Sequence, residues 1–403
     1  MSEASGRGRR LPVAEFTAML ALLFATIAFS IDAMLPALPQ IAAELSPEAA
    51  NRAQLVLAAF ILGLGVGTLL AGPISDAFGR KRTIAAGFLL YSVAALMAYA
   101  ARSLDLLLLA RVLQGIGASA PRVAGMALVR DLYSGREMAR IMSFVMMVFM
   151  VVPALAPLLG AAIVAGLGWR AIFLAYLLFA IVTLAWVMIR QDETLAPAAR
   201  RALTAANLRT AFREVVASAE VRLYMLVMCL GYGQMFALLS SIQPIFGETY
   251  GRAGSFPLWF AGIAVMSASA SFVNARFVMR LGMRRLATLA YGGAAVLSLI
   301  ALLLIGAGLV SGTASFVTFY LWGTGVFFIS GLTYGNLNAL AVQKLGHIAG
   351  MATSVITAVS TVVAALIAGP VGLAFDGTAL PAIIGAVLCS TAAFALMRYS
   401  ERS

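Results

Sequence analysis

Charged side chains are scarce in this chain of 403 residues, because Asp, Glu, Lys and Arg together make up only 11% of it. A soluble protein carries roughly 25% charged residues. Hydrophobic residues account for 62% of the chain, and the mean hydropathy is +0.98. This composition excludes a water-soluble enzyme, a disordered chain and a nucleic-acid-binding protein, although the net charge is +12.

Residues that build metal and redox sites are equally scarce. The chain has one histidine and two cysteines, Cys229 and Cys389, which lie within apolar runs. Two cysteines build no disulfide framework and no metal cluster, so each is interpreted as a small buried hydrophobe. The sequence has no His/Asp/Glu group with metal-ligand spacing, no Cys/His pair and no phosphate-binding loop. We therefore expect no metal, no cofactor and no enzymatic activity.

Long apolar runs occupy most of the chain. A helix needs roughly 20 apolar residues to cross a bilayer core of about 30 Å, and twelve runs reach this length. The predicted spans cover residues 13–37, 52–73, 82–101, 104–128, 138–165, 169–190, 221–245, 255–280, 285–309, 312–342, 348–374 and 378–398. The sequence thus predicts an all-α membrane protein with twelve transmembrane helices.

The lysines and arginines fall mainly on one side of this arrangement. With the N-terminus inside, 22 of the 28 lie in inner segments, 4 lie in outer segments and 2 lie within span 4. Lys and Arg mark the cytoplasmic side of a membrane protein. We therefore expect a multi-pass protein of the bacterial inner membrane with both termini in the cytoplasm.

The chain divides into two halves. The polar segment 191–220 follows six spans and precedes six, so we predict lobes at residues 1–190 and 221–403 joined by a cytoplasmic linker. The second span of each half ends in a similar turn, Phe78–Arg82 and Leu281–Arg285, 203 residues apart. Repeated six-helix halves with Gly/Pro-interrupted helices are typical of alternating-access transporters. We expect lobes related by pseudo-twofold symmetry.

Three charged residues, Asp32, Arg111 and Arg122, lie well inside predicted spans rather than near their ends. Asp32 in span 1 and Arg111 in span 4 lie at similar depth, roughly 6 to 10 Å below the outer interface. A charge at the bilayer centre costs at least about 2.5–3.5 kcal/mol, so it is rarely idle. The two can neutralise each other directly or through water, either as a proton-exchanging site or as a static ion pair. Arg122, on the same face as Arg111, contacts substrate, snorkels to the headgroups or forms a structural pair.

Several local patterns resemble signatures of the major facilitator superfamily. Residues 72–82, GPISDAFGRKR, resemble its loop between spans 2 and 3, and residues 111–118 resemble its span-4 signature. Residues 153–160 resemble its span-5 antiporter signature, and residues 31–39 are similar to the span-1 signature of twelve-helix drug:proton antiporters. The Asp-x-x-x-Pro-x-x-Pro form, with Arg130-Asp131 closing span 4, looks most like the bicyclomycin/chloramphenicol resistance (Bcr/CflA) group.

This resemblance implies roles for individual residues. Asp32 would be the proton-titrating acid, and Arg111 would be its partner and transmit its protonation state. The gate motif at the cytoplasmic side would comprise Gly72, Asp76, Gly79 and Arg80. The antiporter motif would comprise Pro153, Pro157 and Gly160 and would bend span 5 at the lobe interface.

The substrate is expected near the midplane between the lobes. The candidate cavity residues are Phe29, Arg122, Tyr232, Gln234, Phe236, Phe327, Asn336 and Asn338. We predict a monomeric secondary transporter in the lipid bilayer that exports amphipathic small molecules such as drugs in exchange for protons, driven by the proton gradient. The alternative is a physiological exporter of a sugar, an amino acid or a siderophore with the same fold.

Overall fold

Helices make up nearly all of the computed structural model, which describes residues 11–200, 205–343, 345 and 348–400. Within this part of the chain, twelve helices are long and apolar enough to cross a membrane, which confirms the predicted fold class. They are span 1 (Val13–Leu45), span 2 (Ala50–Phe78), span 3 (Arg80–Tyr99), span 4 (Leu104–Leu132), span 5 (Gly135–Leu167), span 6 (Ala171–Arg190), span 7 (Ala219–Thr249), span 8 (Ala253–Leu281), span 9 (Met283–Gly306), span 10 (Gly312–Val342), span 11 (Ala349–Leu373) and span 12 (Leu380–Ser400).

The predicted orientation rests partly on cations outside the described residues, namely Arg7, Arg9, Arg10, Arg201, Lys344 and Arg402. We call the end of the bundle at which span 6 ends and span 7 begins the linker end. We call the opposite end the far end. A further helix, Ala205–Ala217, lies between spans 6 and 7, within the predicted linker.

Several spans are interrupted, and span 1 shows why. Its first helix ends at Asp32, a short 3₁₀ turn covers Leu35–Ala37, and a second helix covers Leu38–Leu45. Pro36 has no N–H to donate to the carbonyl of Asp32 four residues earlier, and its ring crowds that carbonyl. The helix therefore breaks at the acidic residue. Spans 7 and 8 are also divided, into Ala219–Pro244 with Ile245–Thr249 and into Phe256–Ala268 with Ala270–Leu281.

Spans 1–6 pack mainly on one another, as do spans 7–12, so the fold consists of two six-helix lobes. The lobes meet where span 2 packs on span 11 and span 5 packs on span 8. Spans 2 and 11 run antiparallel, and a methyl group added to Gly65 would lie 2.8 Å from a side-chain methyl of Val362 and 2.9 Å from its backbone nitrogen. Nearer the linker end, a methyl on Gly72 would lie 3.5 Å from the Ser354 hydroxyl. The residue boundaries of lobes and linker stay a prediction.

Side-chain hydrogen bonds join the lobes at the far end. The amide of Asn51 donates to the carbonyl of Leu373 at 3.3 Å and also to the carbonyl of Phe375. The Ser241 hydroxyl donates to the side-chain oxygen of Gln54 at 2.9 Å. The far end is therefore closed between the lobes in this structure.

Large apolar side chains cover the outside of the bundle. Phe272 is 80% exposed and Met279 is 87% exposed, and Leu89, Val93, Leu178 and Leu258 are exposed as well. A soluble monomer rarely presents so much contiguous apolar surface, whereas lipid tails cover it without cost. The chain is thus a multi-pass integral membrane protein.

Candidate functional site

Asp32 is buried, and its carboxyl group has no hydrogen-bond or ion-pair partner among the described residues. Its side chain is only 5% exposed, at the residue where the first helix of span 1 ends. Among the described residues, no hydrogen-bond donor binds this carboxyl group and no cation lies within 4.0 Å of it. A buried carboxyl group without such contacts is not explained by a structural role.

Arg111 is fully buried and is held by groups that carry no formal charge. Its guanidinium donates to the backbone carbonyls of Ser30 at 2.9 Å and Val56 at 3.3 Å, and to the side-chain oxygen of Gln114 at 2.6 Å. It also lies over the ring of Phe60, 4.4 Å from the centroid. Carbonyl dipoles and the ring face thus compensate part of the desolvation of this cation, and they link span 4 to spans 1 and 2.

The sequence allowed either a direct ion pair or a water-mediated contact between Asp32 and Arg111. The direct ion pair is not formed in this structure. Arg111 instead binds the carbonyl of Ser30, which lies two residues before Asp32 on the same helix. The carbonyl that Arg111 binds therefore lies about 3 Å of helical rise from Asp32 along span 1. The static ion pair does not account for either residue.

A polar cluster surrounds Arg111 that sequence reasoning missed. The hydroxyl of Tyr176 in span 6 donates to the Ser30 carbonyl at 3.0 Å, and the hydroxyls of Ser30 and Tyr91 in span 3 lie 2.6 Å apart. These groups bring spans 3 and 6 to the same point of span 1. In the sequence, the only indication of this cluster was Gln114, which lies three residues after Arg111 on the same helical face.

The antiporter motif packs directly behind Asp32. Gly160 of span 5 is so close to span 1 that a methyl group there would overlap the carbonyl of Ala33, the residue after Asp32. Pro157 is buried and Pro153 is half-buried, both inside one continuous helix, Gly135–Leu167. Span 5 also packs on span 8 of the other lobe. It therefore connects the surroundings of Asp32 to the lobe interface.

The gate motif forms an ion-pair network at the linker end. Gly79 has a φ of +103° and is the only residue between spans 2 and 3. Arg80, which follows it, is buried and binds Asp76 at 2.6 Å and Asp131 at 3.0 Å. Gly72 lies close to span 11 of the other lobe, as described above. The structure brings the four predicted gate residues to one region and adds Asp131.

Part of the predicted cavity comes together between the lobes. Arg122 is half-buried and makes no hydrogen bond or ion pair within the described part of the chain, so the structural pair predicted as one alternative is absent there. It lies close enough to Tyr232 of span 7 to interact with it electrostatically. The ring of Tyr232 lies 4.0 Å from that of Tyr334 and 6.1 Å from that of Phe236. Tyr334 of span 10 was not predicted, because nothing distinguishes it from the other aromatic residues of that helix.

The remaining predicted cavity residues contact neighbours in their own lobe. Gln234 accepts a hydrogen bond from Ser390 at 2.5 Å, and Asn336 donates to Asn274 at 2.7 Å. The rings of Phe29 and Phe327 pack edge-on against those of Tyr176 and Phe260, at 5.3 and 5.9 Å. Asn338 has a buried side-chain oxygen without a hydrogen-bond partner among the described residues. These contacts do not join the five residues to the Tyr232 cluster.

Comparison with known proteins identifies similar chains over nearly the whole length. A family model described as Major Facilitator Superfamily matches residues 19–369. The chain is 30% identical, over 93% of both chains, to a bicyclomycin resistance protein homolog of Haemophilus influenzae. It is 35% identical, over 62% of this chain and 58% of the relative, to a chloramphenicol resistance protein of Pseudomonas aeruginosa.

The fold is also that of solved structures. The xylose transporter XylE from E. coli, in a partially occluded inward open conformation, matches with a TM-score of 0.71. The match covers 96% of this chain and 97% of that chain at 14% sequence identity, so it bears on the fold alone.

We expect Arg111→Met to lower the free energy of unfolding by about 2 kcal/mol or more, because the substitution leaves buried acceptors without a donor. Arg122→Met on the same helix is the matched control, since Arg122 has no hydrogen bond among the described residues to lose. Thermal unfolding of both purified variants in detergent measures the difference. Equal unfolding temperatures would contradict the contacts assigned to Arg111.

We expect Gly160→Val to lower the unfolding temperature by several degrees, because the added side chain must push span 5 away from the Ala33 carbonyl. Overpacking of this kind costs about 1–3 kcal/mol. Gly166→Val in the same helix is the control, since nothing lies within 4 Å of a methyl group there. A Gly160→Val protein as stable as the Gly166→Val protein would show that spans 1 and 5 are not in close contact.

Proposed function

The chain belongs to the Major Facilitator Superfamily and is a membrane transporter, and from this membership we propose that it exports amphipathic small molecules, including drugs, in exchange for protons. The proposal rests chiefly on one observation: Asp32, a buried acid, lies beside Arg111, a buried cation, and among the described residues neither has an oppositely charged partner within 4.0 Å. Together they can respond to a single proton.

The proposed coupling step is an exchange of acceptors at Arg111. When Asp32 carries a proton, it is neutral, and Arg111 binds the Ser30 carbonyl as it does here. When Asp32 loses the proton, the anion attracts Arg111, and the carboxylate replaces the Ser30 carbonyl as acceptor. Because Arg111 also binds span 2 through Val56, this exchange shifts spans 2 and 4 relative to span 1.

The shift at Asp32 reaches the lobe interface through span 5. Gly160 packs on the residue after Asp32, and span 5 packs on span 8 of the other lobe. A change in the geometry of span 1 therefore changes the contact between lobes. We infer that the protonated and the substrate-bound protein favour different lobe arrangements, as antiport requires.

The proposed substrate site lies between Arg122 of one lobe and the aromatic residues Tyr232, Phe236 and Tyr334 of the other. Aromatic side chains supply a large apolar surface with few polar groups, which suits amphipathic ligands. Relatives named for resistance to bicyclomycin and chloramphenicol support drugs as the substrate class. Because Arg122 brings a positive charge, we expect neutral or anionic compounds to be preferred over dications.

We place the protein in the bacterial inner membrane as a monomer, with the linker end in the cytoplasm. Support for this orientation comes from the excess of lysine and arginine in the segments of that end. The proton gradient across this membrane would then drive export, and no cofactor is required.

We expect Asp32→Asn to abolish proton-driven transport while substrate counterflow, which moves no net protons, is retained. The amide cannot release a proton, but its size is that of the protonated acid. The measurement is substrate uptake into inverted vesicles with and without an imposed proton gradient. Asp105→Asn is the control, because Asp105 is an exposed residue at the far end that pairs with Arg52. Undiminished gradient-driven uptake by Asp32→Asn would refute the coupling role.

Substrate binding is expected to release protons from the purified protein, and the Asp32→Asn protein should release none. The release is measured with a pH indicator in weak buffer across a panel of drugs, sugars, amino acids and siderophores. Release triggered by neutral or anionic drugs supports the proposal. Release triggered only by a sugar, an amino acid or a siderophore would establish the physiological exporter instead.

A further inference from the structure

A half-buried arginine at the far end of the second lobe has no carboxylate partner. Arg252 lies in the turn between spans 7 and 8, and its guanidinium carbon lies 4.2 Å from the ring centroid of Phe316 and 5.7 Å from that of Trp259. Among the described residues, no carboxylate lies within 4.0 Å of this guanidinium, and its side chain makes no hydrogen bond. The acids of the neighbouring turns, Glu248 and Asp376, are exposed instead. The ring faces attract the cation, but its N–H groups still need acceptors.

The corresponding arginine of the first lobe has such an acceptor. In the two repeated halves, spans 1, 2 and 4 correspond to spans 7, 8 and 10. Arg52 lies in the first turn of span 2 and binds the carboxylate of Asp105, the second residue of span 4, at 3.0 Å. The second residue of span 10 is Thr313, which carries no charge. The carboxylate that neutralises the arginine in the first lobe thus has no counterpart at this position of the second lobe.

The other far-end arginines of the described chain are either paired or exposed. Arg170 lies over the ring of Trp169, 4.2 Å from its centroid, much as Arg252 lies over its own aromatic neighbours, yet Arg170 also binds Glu44 at 2.7 Å. Arg102 has no partner among the described residues, but it is exposed and therefore solvated by water. Arg252 differs from both because it combines partial burial with an uncompensated charge.

A pocket of about 410 Å³ lies beside the guanidinium of Arg252. Its volume falls within the range of about 300–1,000 Å³ that is typical of small-molecule sites. Ser311 and Thr313, at the start of span 10, line the pocket, and their hydroxyls have no hydrogen-bond partner among the described residues. No acidic side chain of the described chain lines it. One cation and two free hydroxyls suit an anion with several oxygen atoms, such as a phosphate group.

The surroundings of the pocket suit the acyl chains of a lipid. Leu258 follows two residues after the start of span 8 and precedes Trp259, and Val317 follows Phe316 in span 10. Leu258, Val317 and Leu321, one turn further along span 10, are exposed on the outside of the bundle. Tryptophan and tyrosine are enriched where helices leave the hydrocarbon core, so the aromatic residues place the pocket at the level of the headgroups.

We propose that this pocket binds the headgroup of an anionic phospholipid. The phosphate accepts hydrogen bonds from Arg252 and from the hydroxyls of Ser311 and Thr313, while the acyl chains lie on the exposed apolar side chains of spans 8 and 10. Because no acid of the described chain lines the pocket, a headgroup that carries an ammonium group finds no partner there. The phosphate joins the turn between spans 7 and 8 to span 10, as Asp105 joins span 2 to span 4. The site uses none of the residues assigned to transport, so its test is independent of that proposal.

The experiment measures lipid binding to the purified full chain in a non-ionic detergent. Short-chain phosphatidylglycerol is titrated and the bound lipids are counted by native mass spectrometry, in comparison with phosphatidylcholine of the same chains and with glycerol phosphate, which has none. Arg252→Met removes the charge but keeps an unbranched side chain. Thr313→Asp keeps the arginine and supplies the carboxylate that Asp105 supplies in the first lobe. Arg102→Met, which removes an exposed charge at the far end, is the matched control.

Arg252→Met and Thr313→Asp are each expected to weaken the tightest phosphatidylglycerol site about tenfold, the factor that corresponds to loss of a hydrogen bond to a charged group. Arg102→Met should bind as the parent does, and the parent should bind phosphatidylcholine and glycerol phosphate more weakly than phosphatidylglycerol. If Arg252→Met does not fold, Thr313→Asp decides. Parent-like affinity in Thr313→Asp or in folded Arg252→Met would overturn the proposal. An equal loss in Arg102→Met, or equal binding of phosphatidylcholine or glycerol phosphate, would also overturn it.

Discussion

The structure of the first lobe depends on how a cation is accommodated where water cannot reach it. Arg111 is fully buried. The free-energy cost of removing its charge from water is compensated only if every side of the guanidinium meets negative potential. Two backbone carbonyls, an amide oxygen and the face of Phe60 provide it. These acceptors come from three spans, so the charge fixes the mutual positions of spans 1, 2 and 4.

Neutral acceptors have a consequence for function that a carboxylate partner would not have. Carbonyl groups hold Arg111 less tightly than an anion does, so the residue can change partners when a charge appears nearby. Asp32, two residues from the Ser30 carbonyl, is the residue at which a charge can appear. Gly160 of span 5 packs closely on the residue after Asp32. In the proposed coupling step, we expect this close packing to pass the change to neighbouring helices.

The sequence predicted the parts of this arrangement that depend on composition and spacing. Hydropathy identified all twelve spans, although span 1 continues to Leu45 rather than residue 37, because polar residues extend the helix beyond the apolar run. Burial of Asp32 and Arg111 also followed from their positions in apolar segments. The backbone partners of Arg111 could not be predicted, because backbone carbonyls belong to every residue and leave no trace in the sequence.

The predicted cavity residues also show that the sequence does not reveal which group a polar side chain binds. Gln234 and Asn336 are polar residues in apolar helices, and sequence reasoning assigned both to the substrate, yet each bonds a side chain in its own lobe. A polar residue in an apolar helix can bind either a ligand or a side chain of a neighbouring helix. Only the packing of the helices shows which of the two it binds. Glu193 escaped notice because its partner is the backbone of Arg80, 113 residues earlier.

The seam between spans 2 and 11 restricts how the lobes move. At Gly65 the two backbones are too close for even one methyl group between them, and the antiparallel contact continues to Gly72 and Ser354. Sliding span 2 by one helical turn would bring Ile61 or Leu69 into the place of Gly65. The close contact between spans 2 and 11 therefore allows the lobes to rotate about these two helices. It prevents the lobes from translating along the helix axes.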